Sequence, residues 1–245
     1  MSVPGFLERP AFRFYQLAWS GLDWLYPPRC GGCNQAYCRW CSSCQRQVQL
    51  IRAPLCECCG KMTPAPGICP ECQHSPPPFT ALRSWAVYQG PLRNAILLLK
   101  YAGDLSLGEI LARPLLEMLQ TLHWGIDLVI PVPISLARKR MRGYNQASML
   151  ALPIALGSGV AYRPQGLMKV REAPSQVGLT AAQRRRNVQA AFQAQGKIVA
   201  GKTVLVVDDI TTSGATMEAC SNELLRAGAC RVFGLTLART VQEIE

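Results

Sequence analysis

The stretch Val204-Leu205-Val206-Val207-Asp208-Asp209-Ile210-Thr211-Thr212-Ser213-Gly214-Ala215-Thr216 decides how this chain is read. Four consecutive apolar residues predict a strand buried on both faces, as in a parallel sheet. Two carboxylates follow, and then hydroxyl residues around Gly214 open a helix predicted over 214–227. Ligands of open α/β sheets bind outside the carboxyl ends of the strands, where this loop falls. The backbone amides of Thr212, Ser213, Gly214, Ala215 and Thr216, with a helix N-terminus behind them, suit a phosphate, and the hydroxyls of Thr212, Ser213 and Thr216 add donors. Asp208 and Asp209 repel a bare phosphate, so they are expected to serve another part of the ligand: sugar hydroxyls, directly or beside Mg2+. Their side chains diverge as neighbours on a strand, and both are expected to be exposed and to contribute little to the core. A generic DD-x-T only caps a helix. The full string fits a phosphorylated ribose.

Outward from this loop, strands are predicted at 81–88, 127–132, 167–170, 203–207 and 231–238. Helices are predicted at 92–101, 105–122 and 145–156, with a basic loop over 133–144. Strands alternating with helices predict an α/β domain over 80–245, a mostly parallel sheet flanked by helices. An N-terminal helical segment occupies 1–28, with Phe12, Tyr15, Trp19, Leu22 and Tyr26 near helical spacing and Pro27 and Pro28 as its stop. The prolines Pro76, Pro77 and Pro78 read as a stiff linker.

Between these parts, residues 29–75 hold 10 of the 12 cysteines. Four C-x-x-C knuckles can be written: Cys30/Cys33, Cys41/Cys44, Cys56/Cys59 and Cys69/Cys72. A two-residue spacing turns both thiolates toward one ion, and two knuckles complete a closed tetrahedral zinc site. Sequential pairing gives two small ribbons in series, a double zinc ribbon, and a crossed pairing is the alternative. Cys38, Cys58 and His74 are possible substitutes for a ligand. A disulfide framework needs an exported protein, and redox catalysis needs a βαβ setting that none of these knuckles has. So small a region, poor in aliphatic residues, needs such staples to fold, which makes the zinc structural.

The chain has 245 residues, 49% hydrophobic and 17% charged, which excludes wholesale disorder. No apolar run reaches the ~20 residues of a membrane span, and no secretory signal is legible, so the cytoplasm is the expected compartment. The net charge of +11 is concentrated in residues 81–200, where 15 Lys/Arg face 5 Asp/Glu. This predicts an anionic partner, either a phosphorylated small molecule or nucleic acid, against the plainer reading of a solvated basic face.

The loop at 208–216 closely resembles the 5-phosphoribosyl-1-pyrophosphate (PRPP) loop of type I phosphoribosyltransferases. Asp127 to Pro133, followed by Arg138-Lys139-Arg140-Met141-Arg142-Gly143-Tyr144-Asn145-Gln146, resembles their pyrophosphate segment, and implies Lys100, Pro133, Arg138 and Arg142 as pyrophosphate ligands. Residues 171–187 resemble the flexible lid that excludes water during transfer, and imply catalytic roles for Arg171, Gln176 and Arg184. As a whole, the chain resembles the competence protein F family, which includes the GntX-type DNA-utilisation proteins. The resemblance is carried by Pro28-Arg29-Cys30 and the paired knuckles, Leu99-Lys100-Tyr101-Ala102-Gly103-Asp104, Pro131-Val132-Pro133, Arg142 to Gln146, the lid with Ala191-Phe192, and the 208–216 loop. Ala173 and Thr211 depart from that pattern. The resemblance implies PRPP with Mg2+ as ligand, and a role with imported single-stranded DNA or its nucleotide products beside a DNA helicase or translocase. A nucleobase-salvage phosphoribosyltransferase and a non-catalytic PRPP-sensing adaptor are the alternatives.

Protein purified under reducing conditions is expected to carry about two zinc ions per chain. Elemental analysis that finds none, or unchanged thermal stability after chelation, would refute the double ribbon.

Overall fold

The computed structural model describes residues 6–25, 27–171 and 191–241. Helix α1 (Pro10–Leu25) leads into the cysteine-rich region, where α2 (Ser42–Arg46) and α3 (Pro70–His74) are short. Strand β1 (Ala81–Val87) is followed by α4 (Gly90–Leu97), a π-helical turn at Leu98–Ala102, and α5 (Leu107–Leu122). Then come β2 (Leu128–Pro131), α6 (Leu136–Arg142), α7 (Gln146–Ser158), β3 (Ala161–Tyr162), β4 (Leu167–Lys169) and β5 (Phe192–Ala194). The chain ends on α8 (Gly196–Val199), β6 (Thr203–Thr211), α9 (Ala215–Arg226) and β7 (Arg231–Arg239).

Five strands form one parallel sheet in the order β1-β7-β6-β2-β3, while β4 and β5 make a separate antiparallel ribbon. The central strand β6 explains both cores. Leu205 and Val207 face one side with Leu115, Leu150 and Ile154 of α5 and α7. Val204 and Val206 face the other with Met217, Cys220 and Leu224 of α9. Helix α7 is apolar around most of its circumference because it is covered twice, by the sheet below and by α1 and α5 above.

Three expectations need adjustment. The central strand does not stop at Val207 but runs to Thr211, because β7 continues alongside it and pairs with Asp208, Ile210 and Thr211. The basic stretch after β2 is a helix rather than a loop, with the Ser135 hydroxyl accepting from the Arg138 amide as its N-cap. The edge strand β3 is two residues long, too short to leave an alternating pattern in the sequence.

The cysteine-rich region is hydrogen-bonded to the sheet. The Ile51 amide donates to Trp85 O at 3.1 Å, the Val87 amide to Gln49 O at 2.8 Å, and the Leu82 amide to Cys58 O at 2.7 Å, so the outer edge of β1 is covered. On the helical side, the buried Glu109 carboxylate joins three parts of the chain. It accepts from Gln16 of α1 at 2.9 Å and from Arg113 of α5 at 2.8 Å, and faces Arg39 of the first ribbon at 3.8 Å. Arg39 is held in turn by Asp23 at 2.7 Å. Glu109→Ala leaves this cation cluster without its central anion, and is expected to cost about 3–5 kcal/mol in urea unfolding. A loss below ~1 kcal/mol would show that the network does not hold these parts together.

Candidate functional site

The cysteines gather as two groups of four: Cys30, Cys33, Cys41 and Cys44, then Cys56, Cys59, Cys69 and Cys72, with all four sulfurs of each within 4.8 Å of one another. Pairing is therefore sequential. Zinc with ~2.3 Å bonds to four thiolates in a tetrahedron spaces its sulfurs about 3.8 Å apart. The Sγ atoms of Cys30 and Cys44 are 3.6 Å apart, those of Cys33 and Cys41 3.7 Å, and those of Cys59 and Cys69 3.8 Å. These spacings fit the ion and exclude disulfides. Cys38, Cys58 and His74 fall outside both groups.

Each centre also supports charge on sulfur. Burial opposes ionisation of Cys30, yet the amides of Cys33, Cys41 and Gly32 outweigh it and bring the thiol down to about 6. Cys56 is likewise brought to about 6 by the amides of Cys69, Cys59 and Cys58. Burial pushes Cys44 and Cys72 upward and Cys59 to about 11, so these ionise against a cation and not alone.

The second constellation lies at the carboxyl end of the parallel sheet. There, β2 leads to β3 on one side while β6 and β7 lie on the other, so strand order reverses between β2 and β6. A pocket opens beside this point, lined by Asp208, Ile210, Thr211, Thr212, Ser213, Gly214, Ala215, Thr216, Met217 and Thr236. Gly214 caps α9 at φ +88°, a backbone conformation that a side chain rarely adopts. Space is not the constraint, since a Cβ at Gly214 would meet nothing within 4 Å.

The alternation of β6 separates the two aspartates. Asp208 continues the face of Val204 and Val206 and borders the pocket. Asp209 continues the face of Leu205 and Val207 and is buried, contrary to the expectation of an exposed carboxylate. The cause is the longer strand: with β7 beside it and α7 above, position 209 lies inside the sheet. Its Oδ2 lies 2.5 Å from Lys100 Nζ on the π-helical turn, and its Oδ1 accepts from Gln146 Nε2 at 3.3 Å. Gln146 Oε1 accepts from Arg142 at 3.0 Å, and the Arg142 guanidinium stacks 4.8 Å over Tyr101. Lys100 and Arg142, expected on pyrophosphate, are thus linked through Asp209 and Gln146.

Other expected ligands are more dispersed. Pro133 follows β2 at the same sheet end, and Arg138 is exposed on α6 with Lys139 and Arg140. Arg171 is exposed beyond β4, its amide donating to Ala191 O at 3.4 Å. Gln176 and Arg184 lie outside the described residues. Gln146 and Tyr101 stood inside quoted motifs without a role. Strand parity counted from Val204 would have placed Asp209 opposite the pocket, but nothing in the sequence names its partner.

Residues 21–73 match the double zinc ribbon domain family and residues 161–242 the phosphoribosyl transferase domain family. The DNA utilization protein YhgH of Salmonella typhimurium is 33% identical over 231 residues, covering 90% of this chain and 98% of that protein. This chain belongs to that family. Its members here include competence protein F of Haemophilus influenzae, 28% identical over 81% of this chain and 90% of its own, and competence protein ComFC of Bacillus subtilis, 23% identical over 82% and 84%. Among solved structures, the allosteric regulatory enzyme of purine biosynthesis is similar with a TM-score of 0.36 and 26% identity, covering 57% of this chain and 26% of that one. The family architecture is thus a double zinc ribbon joined to a phosphoribosyltransferase-like sheet. No helix among the described residues is long and apolar enough to cross a membrane.

Burial, and then Asp209 beside it, push the Asp208 carboxyl well above the usual carboxylate range. Native Asp208 therefore holds its proton more tightly than the unfolded chain does, and stability falls as pH rises through its native pKa. At neutral pH, Asp208→Asn is expected to raise the melting temperature. Asp209→Asn strips Lys100 of its counter-charge and is expected to cost about 2–3 kcal/mol. Equal effects of the two substitutions would contradict the separation of faces.

Proposed function

We propose that the pocket at the end of β6 binds PRPP, with the 5-phosphate on the Thr212–Thr216 amides and hydroxyls and the ribose hydroxyls on Asp208. One observation carries this reading: a carboxyl group and a loop of hydroxyl residues around Gly214 border the same pocket beside the strand-order reversal. Mg2+ suits the Asp208 carboxylate and the oxygens of pyrophosphate, and supplies charge neutralisation there when bound. Lys100, Pro133, Arg138 and Arg142 form the pyrophosphate side. Arg171, Gln176 and Arg184 belong to the catalytic lid. A transfer step would break the bond from ribose C1 to pyrophosphate and form one from C1 to a nucleobase or amine.

Family membership supports a setting in DNA use, on the cytoplasmic side, with imported single-stranded DNA or its nucleotide products. The exposed cations Arg138, Lys139 and Arg140 on α6, whose last residue Arg142 stacks on the exposed ring of Tyr101, favour a single-stranded backbone as a further anionic partner. A helicase or translocase of the uptake pathway fits as partner to such a strand-holding protein. A salvage transferase would instead release pyrophosphate in an acceptor screen without any DNA.

Isothermal titration with PRPP and Mg2+ is expected to show saturable binding, weakened at least about tenfold by Gly214→Val, whose β-branched side chain is incompatible with φ +88°. Absence of binding to the wild-type protein would overturn the proposal.

A further inference from the structure

The second cysteine centre touches the strand ends that carry the pocket, through a residue the proposed function leaves idle. Arg239 closes β7, and its side chain is only 4% exposed. Its Nη2 donates to the carbonyl of Cys59, a member of the second centre, and its Nε has no hydrogen-bond partner. Its backbone pairs with Thr211, the last residue of β6 before the phosphate loop, and the Thr240 amide donates to Thr211 O at 3.1 Å. On the opposite side, the Tyr88 amide donates to Arg239 O at 2.8 Å. Arg83 of β1 holds the same knuckle, donating to Glu57 O at 3.0 Å and Cys56 O at 3.4 Å.

A buried guanidinium needs a counter-charge. Among the described residues no carboxylate forms an ion pair with Arg239, and its side chain is held at the Cys59 carbonyl of the second centre. Zinc on four thiolates leaves that centre net negative, so the loaded centre supplies the missing anion. Among the described residues the first centre makes no hydrogen bond to β7: it meets α4 through Asn94 on Gly32 O at 3.0 Å and α5 through Arg39 beside Glu109.

We propose that Arg239 is a positioning residue that couples the second cysteine centre to the phosphate loop, so that zinc at Cys56, Cys59, Cys69 and Cys72 orders residues 212–216 while zinc at the first centre does not. The ligand consequence of this coupling rests on the PRPP reading. The coupling itself does not.

Hydrogen exchange and zinc content of the full chain test it together. In Arg239→Gln, amides 212–216 are expected to exchange about tenfold faster with those of α7 unchanged, and a chelator is expected to remove one of two zinc ions at a concentration the wild type withstands. Arg239→Lys, which keeps the charge, restores much of both. Cys33→Ser is expected to lose the first zinc and keep wild-type exchange in the loop. The inference is overturned if loop exchange in Arg239→Gln is unchanged, if it rises equally in α7, or if Cys33→Ser loosens the loop as much. A wild type that ignores PRPP but shows these exchange effects refutes the ligand proposal and upholds the coupling.

Discussion

The ion pair between Lys100 and Asp209 fixes the geometry on which the site depends. It ties the π-helical turn after α4 to the central strand, beneath the loop that follows that strand. Through Gln146 it also reaches the end of α6 and the start of α7, so the segment after β2 and the segment after β6 share one polar node. The π-turn brings Lys100 onto the central strand just before Gly103, in the left-handed region, ends the helix. With Asp209 held inside the sheet, Asp208 alone is left facing the pocket. Two chemically identical neighbours thereby take different positions, one as counter-ion of the framework and one as a carboxyl group lining the pocket.

The zinc ribbons are part of this framework rather than an appendage. Their backbone continues the hydrogen bonding of β1, the buried Glu109 binds the first ribbon to α1 and α5, and two guanidiniums, Arg83 within β1 and Arg239 at the end of β7, clasp the Cys56/Cys59 knuckle. The small ribbons lack an aliphatic core of their own, and their two centres supply the covalent-like ties that such a region needs. In return they close a sheet edge that would otherwise present unpaired backbone groups.

Much of this was legible in the residues. The apolar run 204–207, the knuckle spacings and the alternation of strands with helices identify the parallel sheet and the two four-cysteine groups, because periodicity and ligand spacing are local properties. The length of β6 was not legible, since it depends on the partner strand β7, and the pair Asp208-Asp209 has weak strand propensity of its own. The burial of Asp209 followed from that length. The helix at 136–142 was hidden by its charge: none of its residues is buried, so it leaves no apolar stripe. The Arg239 link joins residues 180 apart in the chain, a separation across which a single sequence carries no pattern.

A crystal structure of the chain with PRPP and Mg2+ tests the central claim most directly. The account predicts the 5-phosphate on the amides of residues 212–216, ribose hydroxyls on Asp208, and Asp209 still buried on its own side of the sheet. A ribose held by Asp209, or a ligand bound away from the end of β6, would contradict it.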